Sequence, residues 1–141
     1  RQAIVLPRAL ASSKTLDFSF SGLKTAARLY IEQAGSLEGQ HLANFCASFQ
    51  EAIVDILVRK AIAAAVSYGF PGIVLGGGVA ANDRLRAVML ERCSKRNLWV
   101  FLPPKVLCTD NAAMIAAAGW MRLQRGERSA LTSLARSRWS L

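Results

Sequence analysis

The sequence predicts an α/β unit with two parallel strands and several helices, and three observations carry that expectation. An apolar run, Ile73-Val74-Leu75, ends in Gly76-Gly77-Gly78 and leads into a helical pattern. A second apolar run, Leu98–Leu102, follows that helix and stops at Pro103-Pro104, where proline offers no donor to a strand ladder. Elsewhere apolar residues recur at intervals of three and four, the signature of one buried helix face. A helix between two strands implies a parallel pair with a right-handed crossover.

Taken in order, Arg1–Lys14 contains Pro7 and small polar residues and reads as an irregular lead-in. In Leu16–Gly22, Phe18 and Phe20 alternate with Asp17, Ser19 and Ser21, a short extended pattern. Ser19 or Ser21 is suited to cap a helix from about Leu23 to Ala34, with Leu23, Ala26, Ala27, Tyr30 and Ile31 on one face. After a loop at Gly35–Gly39, a long helix is expected from about Gln40 to Tyr68. Its buried face reads Leu42, Phe45, Cys46, Phe49, Ile53, Ile56, Leu57 and Lys60, and Gly69-Phe70-Pro71-Gly72 stops it.

The strand Ile73–Leu75 and the glycine turn come next, then a helix from about Asn82 to Arg96 that buries Leu85, Val88, Met89 and Cys93. Past the second strand and a loop at Lys105–Thr109, Asp110 is expected to open a helix to about Arg125. There Ala112, Ile115, Ala116 and Gly119 permit close packing, and Gly126 ends it. The remainder is a basic tail. Two strands are too few for a doubly covered sheet, and the chain opens on Arg1. The expectation is therefore a fragment whose further strands lie upstream or in another chain. An exposed sheet edge, an uncovered apolar face and self-association follow from it.

At 141 residues, 52% hydrophobic and 19% charged, the chain has the composition of one globular domain with a real core. No apolar stretch reaches the roughly 18 residues a membrane span needs, and no signal-peptide pattern opens the chain. Cys46, Cys93 and Cys108 are odd in number and widely spaced, which excludes a disulfide framework or a CxxC zinc cluster and suits reduced, cytoplasmic thiols. The net charge of +9 favours a polyanionic partner such as nucleic acid over solvation alone. Basic residues are densest at Arg122, Arg125, Arg128, Arg136 and Arg138, although no aromatic-interleaved basic stripe marks a specific RNA-binding module.

The stretch Ile73–Arg86, IVLGGGVAANDRLR, reads as strand, tight turn and helix. Glycines let a ligand lie against bare backbone, and the following helix aims free N–H groups and its positive dipole end at the same place. The pattern matches neither the Walker lysine loop nor the GxGxxG fingerprint. The residues leave two readings open: a phosphate or carboxylate site, or a turn that only lets strand and helix pack closely. Asn82 is likewise a ligand-facing residue or a helix N-cap, and the two are compatible. Asp110 is a metal ligand or an N-cap to Ala112 or Ala113. Cys108 approaches that position or is a packed thiol. Ser19, Ser21 and Lys24 face a cleft or an RNA phosphate, or cap and solvate a helix. The single histidine, His41, supplies neither an HExxH metalloprotease site nor a serine triad, and there is no GxSxG elbow.

Three ordered stretches, LDFSFSGLKTA at 16–26, LGGGVAANDRLR at 75–86 and CTDNAAMIAAAG at 108–119, together resemble one family, and ASFQEAIVD at 47–55 and the closing RSRWSL also fit. The chain is similar to the C-terminal part of the tRNA N6-adenosine threonylcarbamoyltransferases, the TsaD, YgjD or Gcp type once described as O-sialoglycoprotein endopeptidases. The resemblance implies an RNase H-like lobe of an actin-like ATPase fold. It implies transfer of threonylcarbamoyl from its adenylate to N6 of adenosine-37, in tRNAs reading codons that start with A, with accessory proteins of that pathway. It also implies iron or zinc held by an HxxxH pair and one aspartate. Carried onto matching positions, Asp110 is that aspartate, Asn82 binds the nucleotide part of the substrate, and Gly76 and Gly77 lie beside it. The HxxxH pair and the upstream substrate loop are absent, and His41 does not match, so the chain alone is expected to be inactive. A different actin-like ATPase or sugar kinase, and a non-catalytic tRNA-docking piece, are the alternatives.

Overall fold

The computed structural model describes residues 4–8, 15–130, 132 and 134. The first helix, α1, spans Ser21–Ala34, and α2 spans Gly39–Ser67. Then come β1 (Gly72–Val74), a 3-10 turn (Gly78–Ala81) and α3 (Asp83–Ser94). They are followed by β2 (Trp99–Phe101), a 3-10 turn at Lys105–Leu107 and α4 (Ala112–Gln124). β1 and β2 pair in parallel, with Gly72 opposite Trp99 and Val74 opposite Phe101, as the strand–helix–strand order predicts. Gly72 is needed at its place because a Cβ there would fall 2.1 Å from the Trp99 ring.

The long α2 is the spine, and two apolar clusters form along it. Its first half meets α1 and the lead-in: Phe45 and Ala52 pack with Leu23, Ala27 and Leu6. Its second half meets α3 and the strands: Val54, Val58 and Ile62 pack with Leu85, Val88, Met89 and Cys93, joined by Ile73 and Val100. All four residues expected inside α3 are buried. The single face expected for α2 is corrected. Leu42 and Cys46 are exposed, whereas Val54, Val58 and Ile62 are buried, because the helix presents different sides to its two clusters. Lys60 is buried as expected, and its ammonium donates to the Thr15 carbonyl.

Other local expectations change. Neither Ser19 nor Ser21 caps α1; Phe20 precedes it without a side-chain cap, and the two hydroxyls meet each other at 3.1 Å. Residues 16–20 form no strand, Phe20 standing at φ −115° and ψ 0°, and Phe18 and Phe20 stack their rings. On α1, Ile31 is exposed rather than packed. Asp110 does not open α4. Asn111 is the cap, its Oδ1 accepting from Met114 N at 3.1 Å. Nor does α4 pack closely: every residue from Ala112 to Gln124 is exposed, Ile115 and Trp120 among them. Arg136, Arg138, the closing RSRWSL and much of the lead-in lie outside the described residues. Among the described residues no helix is long and apolar enough to cross a membrane.

Candidate functional site

The site is built where β1 gives way to α3. Gly77 adopts φ 78° and ψ 171°, a backbone state L side chains rarely enter, so glycine is required there. A Cβ placed on Gly76, Gly77 or Gly78 would meet nothing within 4 Å. The turn is therefore bare backbone facing open space rather than a close strand–helix contact, which favours the ligand-facing reading of the glycines.

Asn82 ends the turn and starts the helix. Its Oδ1 accepts from Leu85 N at 3.0 Å, the N-cap bond expected of asparagine. Its Nδ2 donates to Gln50 Oε1 on α2, also at 3.0 Å. An amide nitrogen carries two donors, and among the described residues only Gln50 takes one of those of Asn82. Beside it, Arg84 grips Glu51 with two parallel bonds of 2.7 and 2.8 Å. That hydrogen bond outweighs burial and holds the Glu51 carboxyl below its usual range. Gln50 and Glu51 thus fix α3 against α2 at the mouth of the turn. Both lie within the ASFQEAIVD stretch, but nothing in their spacing distinguished them from a solvated helix face.

Arg86 ties the glycine turn to the segment that leads to Asp110. Its guanidinium donates to the Ala80 carbonyl at 2.9 Å and the Pro103 carbonyl at 2.8 Å, and lies 3.8 Å from Cys108 Sγ. Lys105 adds an ion pair to Asp83 at 2.5 Å. Cys108 is buried beneath these contacts and is a packed thiol. Two residues on, Asp110 is exposed, and its carboxylate has no hydrogen-bond or ion-pair partner among the described residues. Freed of the cap role by Asn111, it is available as a ligand. It stands alone: no group of three His, Cys, Asp or Glu side chains gathers among the described residues. The donors here therefore fit one position of a metal's coordination and not a whole site.

A cavity of about 770 Å³ opens between the start of α1 and β1. Its walls are mostly apolar, with Phe18, Phe20 and Ile73 among them, and Ser21, Lys24 and Gly76 on its lining. The FSFSGLK stretch and the glycine turn therefore share one cavity, although Ser19 is not on its wall. Asn82 lines a neighbouring cavity of about 340 Å³ with Gln50 and Cys46. His41 is exposed but bonded: Nε2 lies 2.7 Å from the Tyr30 hydroxyl, remote in sequence from the turn.

The described residues form an α/β unit with a bare glycine turn, a capped helix and an exposed carboxylate two residues past a buried thiol. Residues 1–117 match the family model TsaD, tRNA N6-adenosine threonylcarbamoyltransferase, and the chain belongs to that family. It is 47% identical to the tRNA N6-adenosine threonylcarbamoyltransferase of Sorangium cellulosum, over 99% of this chain and 39% of that relative. The enzyme of the same name from Anaeromyxobacter dehalogenans is 51% identical over 99% of this chain and 42% of its own length. That of Syntrophus aciditrophicus is 47% identical over 100% and 41%. The chain spans about two fifths of the length of the curated relatives it matches.

Proposed function

We propose that this chain forms the nucleotide-facing lobe of a threonylcarbamoyltransferase that modifies N6 of adenosine-37 in tRNA. The observation that carries the reading is the conjunction of family membership with an exposed glycine turn whose capping Asn82 keeps one amide N–H uncommitted among the described residues. In this reading Gly76 and Gly77 bring backbone against the adenylate of the threonylcarbamoyl donor, and Asn82 bonds its nucleotide part. The positive end of α3 favours the negative charge of that ligand. Arg86 is a positioning residue that keeps the turn and the Asp110 segment in register.

Asp110 would supply one ligand to a divalent metal, iron or zinc, completed by donors beyond this chain. When bound, such a metal polarises the carbonyl of the transferred group. The wider architecture proposed is one lobe of an actin-like fold, acting in the cytoplasm with tRNA and accessory proteins of the pathway.

The test is transfer by the polypeptide of full family length, given threonylcarbamoyl-adenylate, metal and unmodified tRNA, with digested nucleosides read by mass spectrometry. Threonylcarbamoyladenosine is expected, with a loss of about a hundredfold or more in Asn82→Ala and Asp110→Ala. The 141-residue chain alone is expected to make none. Undiminished product from either variant would remove that residue from the site. Absence of product from a folded, adenylate-binding protein would remove the transferase reading.

A further inference from the structure

A groove of about 340 Å³ lies between the second half of α2 and the end of α3, and none of the motifs above uses it. Four of its lining residues are basic: Arg59, Arg92, Lys95 and Arg96. Arg59 and Arg92 come from different helices and converge on the buried Asp55. Arg59 Nη2 meets Oδ2 at 2.5 Å, and Arg92 Nη1 meets Oδ1 at 2.7 Å. Arg8 joins from the lead-in at 3.0 Å. Each guanidinium offers five N–H donors, and these contacts use few of them. Asp55 thus orients three guanidiniums without neutralising them. Lys95 pairs with Glu91 at an exposed site, and the Arg96 side chain has no partner among the described residues. The four basic side chains of the lining, with Arg8 behind them, thus meet the two carboxylates of Asp55 and Glu91, a surplus of three positive charges in the cluster.

The end of a helix attracts cations to its partial negative charge, roughly half a unit. That accounts for Arg92 and its neighbours in part, but not for Arg59, which α2 aims into the same groove, nor for the size of the surplus. Rigid, partly exposed guanidiniums suit the bidentate recognition of phosphate oxygens. Asn82 caps the other end of α3, about 18 Å away at 1.5 Å per residue over twelve residues. A polyanion engaged at the glycine turn has to run on past this distance to reach the groove, which only an extended ligand does.

We propose that the Arg59–Arg92–Lys95–Arg96 groove is a docking surface for the phosphodiester backbone of RNA, outside the transfer site. The choice of RNA as the polyanion rests on the tRNA-modifying reading above. Contacts of this kind position a substrate without reading its sequence, and they weaken as salt rises because release of counterions from the phosphates becomes less favourable.

The experiment compares Arg96→Glu and Lys95→Glu/Arg96→Glu with the unaltered polypeptide of full family length. Arg28→Glu, an equally exposed charge reversal on α1, serves as control. Neither groove residue touches Asp55, so circular dichroism should show the fold intact. Binding of unmodified tRNA is titrated across salt concentrations, and transfer is measured at limiting and saturating tRNA. The double variant is expected to bind about tenfold or more weakly, with a salt slope shallower by about two. KM for tRNA should rise while kcat at saturation holds, and Arg28→Glu should change little. Unchanged affinity and slope with transfer intact overturns the groove and leaves the transferase reading standing. Groove-dependent RNA binding with no transfer keeps the groove and overturns the transferase. Groove-dependent binding to anionic phosphatidylglycerol vesicles, without RNA binding, assigns the surface to a membrane and overturns the proposal.

Discussion

Helices α3 and α4 begin in the same way and end up in opposite surroundings. Each follows a turn, each is capped by an asparagine whose Oδ1 accepts the backbone N–H three residues on, and each carries an arginine in its last turn. Yet α3 buries Leu85, Val88, Met89 and Cys93, while α4, the more apolar of the two, has no buried residue. The difference teaches that cap chemistry fixes where a helix starts, whereas burial depends on what lies opposite. For α3 the opposing surface is the second half of α2 and the paired strands. Among the described residues nothing plays that part for α4.

The sharpest test of this contrast is truncation of one apolar side chain in each helix. Met89→Ala removes a fully buried thioether whose sulfur sits 3.6 Å from Cys93 Sγ, and should cost about 2–5 kcal/mol in urea unfolding. Ile115→Ala, at 73% exposure, should cost less than about 0.5 kcal/mol. Equal penalties would mean that α4 is covered in solution and that the two helices do not differ.

A smaller effect separates their charged ends. Arg92 of α3 reaches back to Asp55 on α2, whereas Arg122 of α4 pairs among the described residues with nearby, exposed Glu127. Burial pushes the Asp55 carboxyl up, but the hydrogen bond from Arg92 and the charge of Arg59 more than offset it, so the group sits below its usual range. A carboxylate depressed by folding stabilises the protein above its unfolded pKa, near 4, and that stability is lost as pH falls through the folded value. The unfolding free energy from urea titrations should therefore decline as pH falls below about 4. Asp55→Asn should flatten part of this slope, with Glu51 and Glu91, whose carboxyls are also held below their usual range by Arg84 and Lys95, contributing to the rest.

This contrast also marks what the sequence reveals. The parallel pair, the glycine turn, the Asn82 cap and the inner face of α3 were legible because each rests on a local pattern: a 2- or 3.6-residue period, a breaker, or a cap. The packing of α4 was not, since its small residues permit close approach without supplying a neighbour. Cap choice at Asp110-Asn111 was also hidden, because either side chain is suited to the role. In the candidate site, Gly76, Gly77, Asn82 and Asp110 stood out by motif. Gln50, Glu51 and Arg86 did not, since their partners lie 17 to 33 residues away. Long-range hydrogen bonds leave no periodic trace.

The smallest effect is the most informative about Asn82, because it divides the cap from the ligand role. Asn82→Ala and Asn111→Ala each delete one N-cap bond, worth about 1 kcal/mol. Since α3 belongs to a core cluster, the first loss should appear in global unfolding. The second should appear only as faster amide exchange in the first turn of α4. Asn82→Asp then sharpens the distinction. A carboxylate keeps the acceptor for Leu85 N and suits a helix start, but it lacks the N–H that Gln50 now accepts and the amide's second N–H. If Asn82 serves only as a cap, Asn82→Asp should lose only the Gln50 bond, about 1 kcal/mol, and keep transfer. If its amide also faces the adenylate, the same small loss of stability should come with a fall in transfer. The negative charge would then stand where an anionic ligand approaches, so adenylate affinity should drop together with activity.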